Sequence, residues 1–183
     1  VLARIFSPNQ IPSEEFLGEL VSARAMERAV KYSKVIEMNF ERFDTSEIDS
    51  VLLVSRKDFA EKNSGEYELD DGAYIVESKT EDRTTNKDVI YRQLTSHRMD
   101  DNATKDDIVR LGAGKGTRTK LENYTLNAIK MNEAVDSGEY EHRVVGVILA
   151  VGGEAVKGES VSIERVDPPE AMKNFGLSLI KVD

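Results

Sequence analysis

Residues 143–151 hold the feature that most narrows what this chain can fold into: Val144, Val145, Val147, Ile148, Leu149, Ala150 and Val151 run together, broken only by Gly146. A strand with one wet face alternates apolar and polar side chains, whereas a strand covered on both faces has no solvent side to keep polar. The run therefore predicts a strand at the centre of a sheet, and the rest of the chain must supply its neighbours and its covers.

Changes of period locate those elements. Ser13 offers an N-cap, Glu14 and Glu15 suit the positive end of a helix dipole, and Phe16, Leu17, Leu20, Ala23 and Val30 recur at helical spacing, which predicts a helix over 13–33. Ile36, Met38 and Phe40 then alternate with Glu37, Asn39 and Glu41, as in a half-buried strand. Val51 to Val54 fits either a buried strand or part of a helix starting near Ser46. Tyr67 and Leu69 ahead of Asp71 and Gly72, with residues 73–77 behind, predict a tight hairpin, because an Asp-Gly pair readily adopts positive φ. Val89 to Leu94 reads as a strand between two polar stretches, 78–88 and 95–107. Thr104 is placed to cap a short helix through Leu111. Thr119 and Glu122 have capping-box spacing ahead of a stripe of Leu121, Tyr124, Thr125, Ala128, Met131 and Val135 that stops before Gly138. Val161 and Ile163 indicate a further strand, Pro168 and Pro169 interrupt, and Leu177 to Val182 forms the last one. The expected class is α+β: a single domain over 1–183 with a mixed or mainly antiparallel sheet, two principal helices, an extended lead (1–12) and long polar loops (78–88, 95–107).

A chain of 183 residues with 39% apolar side chains is sufficient for one core. Without cysteine there are no disulfides, thiolate metal sites or thiol nucleophiles, which favours a reducing interior over secretion. No apolar run reaches the length of a membrane span, and residues 1–10 lack the pattern of a signal peptide. These features place the protein in the cytoplasm or within a viral particle, not secreted and without a membrane partner. A formal charge of −9 repels phosphate at long range, so nucleic acid is disfavoured as a partner unless a local basic patch opposes the mean field.

Two segments could hold chemistry. Gly112, Gly114, Lys115, Gly116, Thr117 and Arg118 form, with Lys120, the most basic cluster of an acidic chain, just ahead of a predicted helix. Gly-rich backbone in that position can wrap a phosphate with N–H groups while Lys adds charge. Residues 112–117 resemble the end of the phosphate-binding loop of adenylate kinases, which implies an anion or nucleotide site. The first Gly of such a loop would fall at position 109, where Val109 stands, and Gly116 takes the place of the hydroxyl residue after Lys115. A flexible charged connector is the other reading.

Glu77, Ser78 and Lys79 close an apolar run that starts at Ala73, with Asp70 and Asp71 just ahead of it. The Glu-x-Lys pattern resembles the signature of the PD-(D/E)xK nucleases, and a helix, several strands, a helix and a strand match that family's core order. The resemblance implies Glu77 as a metal ligand, Lys79 as the catalytic Lys, and Asp70 or Asp71 as the other ligand; no Pro-Asp pair is present. His97 and His142 are too few for a zinc site, and each sits beside an Arg in a polar stretch, so no resident metal site is predicted.

The polar stretches 78–88 and 95–107 bury too little apolar surface to order themselves, which points to partners that hold them. On this ground the first expectation is a non-enzymatic structural or assembly subunit without cofactors, homo- or hetero-oligomeric with other protein subunits. A phage or other virion component is its concrete form, and a start at Val1 in place of Met agrees with proteolytic maturation. The alternative is a Mg²⁺-dependent nuclease using Glu77 and Lys79, with Mg²⁺ as its one cofactor. The third is a phosphate or nucleotide binder at residues 112–117.

Overall fold

In a computed structural model, which describes residues 14–43, 46–79, 86–114, 116–151 and 161–183 with side chains from residue 17 onward, the apolar run becomes β4 (Val144–Val151). It lies inside a six-stranded mixed sheet, paired in parallel with β3 (Gly72–Lys79) on one side and with β6 (Ser178–Val182) on the other. Beyond β3 come β2 (Ile48–Val54) and β1 (Ser33–Phe40), both antiparallel to their neighbours, and β5 (Ile163–Val166) closes the opposite edge antiparallel to β6. The helices are α1 (Glu14–Ala29), α2 (Lys87–Thr95), α3 (Lys105–Leu111), α4 (Lys120–Asp136) and a short α5 (Glu170–Asn174). The class is α+β, and α1 and α4 are the two long helices. The lead 1–12, the Ser13 cap and Lys115 lie outside the described residues.

Alternation along the strands divides the core in two. Val51, Leu53, Ala73, Ile75, Val147 and Leu149 face a layer built from α2, α3 and α4 through Ile90, Leu94, Ile108, Leu121 and Met131. Leu52, Val54, Tyr74, Val76, Ile148 and Ile180 face Met26 of α1 and Val30 just after it. A parallel pair needs a crossover, and residues 80–143 form it, carrying α2 to α4 across one face. No helix among the described residues is long and apolar enough to cross a membrane.

Two local expectations are corrected. Residues 89–94 belong to α2: the Asn86 side chain accepts the Asp88 N–H as an N-cap, and Ile90 and Leu94, one turn apart, are both buried. The cap and the burial of that stripe override the β-propensity of Val89, Ile90 and Tyr91. Asp71 and Gly72 do not form a hairpin tip. Gly72 has φ +140° but opens β3, whose antiparallel partner is β2, while Tyr67 makes only an isolated parallel bridge to Val30. Val51 to Val54 resolves as strand because β1 and β3 take its backbone groups on both sides.

The polar stretch 95–107 is anchored from within. Met99 and Ala103 are buried, and Thr104 caps α3 with a reciprocal bond from its own N–H to the Asp107 carboxylate, which fixes Ile108 in the core. Thr104→Ala is expected to lower stability by about 1 kcal/mol in urea unfolding. An unchanged midpoint would mean that this cap does not hold the stretch.

Candidate active site

Period two places Glu77 and Lys79 on one face of β3, the face that carries Ala73 and Ile75 toward α4. The Glu-x-Lys spacing thus sends both side chains to the same side of the sheet. β2 runs the other way beside β3, with Ser50 opposite Val76, so Asp49 arrives next to Glu77. The Asp49 Oδ2 accepts the Ser78 N–H at 2.8 Å, a side chain standing where the ladder ends. α4 starts above the same point. The Nζ of Lys79 is 3.3 Å from Glu77 Oε1 and that of Lys120 is 3.9 Å away, and Tyr124, one turn further along α4 and fully buried, turns its hydroxyl toward Glu77.

Two carboxylates in so dry a place oppose one another. Burial first, and the adjacent Glu77 carboxylate second, push Asp49 from its ordinary 3.8 up to about 7, with the Ser78 N–H pulling the other way and Glu19 of α1 adding to the rise. The Tyr124 hydroxyl is driven far above its ordinary range by burial and then by Glu77 and Asp49, so it stays protonated. Glu77 is 2% exposed, and its Oε1 is flanked by the Lys79 and Lys120 ammonium groups, with Asp49 and the Tyr124 hydroxyl beside the same carboxylate. The two ammonium groups already offset Glu77, so the charge left for a proton or a bound cation to relieve is that of Asp49.

Among the described residues no group of three or more His, Cys, Asp or Glu side chains is gathered to hold a metal. The donor set at this edge is therefore two carboxylates, Asp49 and Glu77. That set suits Mg²⁺, which keeps several waters and is bound through one or two carboxylates together with substrate phosphate.

Asp70 and Asp71 lie at the opposite end of β3, about 20 Å from Glu77 at ~3.3 Å per residue, and are engaged by Arg165 and Arg56 respectively. The structure does not bring them to Glu77; Asp49 stands there instead. Gly112 is the C-cap of α3, and residues 112–118 are threaded by two guanidinium groups: Arg118 donates to Val109 O and to Asn123 Oδ1, while Arg98 donates to Leu111 O and Thr117 O. The Val109 and Leu111 carbonyls at the end of α3 and the Thr117 carbonyl ahead of α4 face cations, the reverse of the N–H lining that an anion needs. His142 packs edge-on against Tyr140.

Asp49, Lys120 and Tyr124 escape a reading of the sequence for different reasons. The signal for Asp49 is a carboxylate lodged between Ile48 and the apolar run at Val51, but only the β2–β3 register reveals its neighbour. Lys120 reads as part of a basic surface run, and Tyr124 falls within the buried stripe of α4. Comparison with protein-family models, curated proteins and solved structures yields no match.

Proposed function

We propose that this protein is a divalent-cation-dependent nuclease whose centre is the Asp49–Glu77 carboxylate pair with Lys79 and Lys120. One observation carries the reading: the buried Glu77 carboxylate lies beside Asp49 and within 3.9 Å of two ammonium groups at a strand end. The order α1, β1, β2, β3, then α4 and a β4 parallel to β3, agrees with the core order that the Glu-x-Lys resemblance implies.

Asp49 and Glu77 would hold Mg²⁺, which when bound would supply Lewis acidity toward a phosphoryl oxygen and lower the pKa of a bound water. The protein's own groups do the rest. Lys79, on a half-exposed side chain, is placed to orient the attacking water or take part in its deprotonation. Lys120 offers positive charge to a non-bridging phosphate oxygen, where charge accumulates in the transition state. Tyr124 stays neutral and closes the site from the α4 side, and the Ser78 N–H holds Asp49 in register. With a net charge of −9 the chain repels nucleic acid at range, so binding depends on these local cations and on the metal.

The expectation of an assembly subunit rested on polar stretches that need outside support. For 95–107, Met99, Ala103 and Ile108 of α3 supply such support from within the chain. The phosphate-cradle reading draws no support from the flanks of this segment, where Arg98 and Arg118 donate to the Val109, Leu111 and Thr117 carbonyls.

The test is incubation of the purified chain with plasmid and with single- and double-stranded oligonucleotides in Mg²⁺ or Mn²⁺. Cleavage that stops in EDTA is expected, falling by about 100-fold or more in Lys79→Ala and staying within about twofold in Asp71→Asn, a surface change remote from the site. Failure of the native chain to cut any of these substrates with either cation would sink the proposal.

A further inference from the structure

We infer that Arg98 is a positioning residue for this site, acting through the first turn of α4 to set where Lys120 stands beside Glu77. The inference rests on the nuclease reading and names a device that the reading does not require. At 100° per residue, Lys120 and Tyr124 share one side of α4 and Glu122 projects from the other. Glu122 is nonetheless 0% exposed, because Arg98 covers it. Its carboxylate accepts the Arg98 N–H at 2.7 Å, Arg98 Nε at 3.1 Å, Arg98 Nη2 at 2.9 Å and the Thr119 N–H at 2.8 Å. These bonds hold Glu122 below its ordinary carboxylate range despite its burial, which pushes the other way.

The same Nη2 reaches Leu111 O at the end of α3 and Thr117 O ahead of α4. One guanidinium therefore ties the end of one helix, the connector and the start of the next. Two glycines of the connector lie close to the guanidinium groups. A Cβ on Gly112 would stand 2.2 Å from Arg118 Nη1, and one on Gly116 would stand 3.3 Å from Arg98 Nη1. Gly112 thus lies against Arg118, and Gly116 and Thr117 against Arg98, with Lys120 two residues beyond Arg118. The first turn of α4 is thus gripped between Glu77 on one side and Arg98 on the other, which fixes the Lys120 ammonium over the carboxylate pair.

Removing Arg98 alone leaves Glu122 buried without its cation and risks unfolding. The test therefore uses a neutral pair, Arg98→Met with Glu122→Gln, alongside Lys120→Ala and the combination of all three, with Mn²⁺-dependent cleavage followed at saturating substrate. The neutral pair is expected to keep its circular dichroism and cooperative melting while kcat falls about tenfold with KM within about twofold, the pattern of an interaction made mainly in the transition state. In the Lys120→Ala background the same pair should cost nothing further, because residues that act as a unit are not additive. Multiplying losses would mean that Arg98 acts independently of Lys120 and would overturn the inference, as would an unchanged kcat in the neutral pair. If the native chain itself neither binds nor uses Mn²⁺, the nuclease reading falls, and the role of Arg98 with it, before any variant is compared.

Discussion

Asp49→Asn is expected to give a chain more stable than the native one at pH 8 in EDTA, by about 2 kcal/mol, and at the same time blind to Mg²⁺ and Mn²⁺. The carboxamide keeps an oxygen for the Ser78 N–H, so the contact at the end of the β2–β3 ladder survives. What disappears is one of two negative charges held in a dry site against each other. Burial and Glu77 raise Asp49 from 3.8 to about 7, so the folded state binds this proton more tightly than the unfolded chain does. The stability that comes from this group is full below about pH 4, falls as pH rises through the interval between the two values, and is lost above pH 7. Linkage over the whole interval sets an upper bound near 4 kcal/mol, and partial exposure with solvent screening brings the expectation to about half of that. The variant should match the native chain near pH 4 and separate from it with increasing pH. In the native chain, saturating Mn²⁺ should restore what the charges remove, by about 3 kcal/mol at a hundredfold excess over Kd, and more at pH 8 than at pH 5, where the proton competes. Thermal and urea unfolding across pH 4–8, with and without Mn²⁺, measures all of this. A variant less stable than native at pH 8 in EDTA, or one that still responds to Mn²⁺, would refute the paired-carboxylate account. Activity and apo stability thus pull in opposite directions at one residue, as expected where a site holds like charges together for function.

The legible parts of the fold are those fixed by local pattern. The capping boxes at Thr104 and Thr119, the stripe of α4, and the unbroken run of β4 each depend on residues within a few positions of one another. The errors arise where distant partners decide. Residues 89–94 have a strand-like composition, and only the Asn86 cap and the sheet beneath Ile90 and Leu94 make them a helix. Asp71 and Gly72 have hairpin chemistry, but Tyr67 and Leu69 are drawn toward the end of α1, leaving β2 to pair with β3. The site follows the same division. Glu77 and Lys79 are readable because their spacing on one strand is the whole signal. Asp49 and Lys120 reach them across 28 and 43 positions of chain, and Asp70 and Asp71, close in sequence, are carried to the wrong end of the strand by its own length.

Gly146→Val is expected to destabilise the protein by about 3 kcal/mol, the upper part of the range for overpacking a core, although valine is the better strand former. Gly146 sits between Tyr74 of β3 and Ser178 of β6 in the parallel part of the sheet. A Cβ there would stand 2.4 Å from Ser178 Oγ and 2.9 Å from Tyr74 Cε1. Neither neighbour can yield freely. Tyr74 is 1% exposed, its ring lies among Leu52, Val54 and Ile180, and its hydroxyl donates to Asp70 O at 2.8 Å; the Ser178 hydroxyl donates to Val145 O. The substitution must push the Tyr74 ring into α1's layer or spread β3 from β4. Tyr74→Leu in the same chain should recover part of the loss by vacating the ring, a non-additivity expected of a direct clash between the two positions. Gly146 lies near the start of β4 and the carboxylate pair beside the end of β3, so the increment in stability from saturating Mn²⁺ should survive in the variant although its baseline falls. Urea unfolding decides the matter: a loss under about 1 kcal/mol would show that the sheet has room at its centre, and a vanished Mn²⁺ increment would show that the two ends of the sheet are not independent.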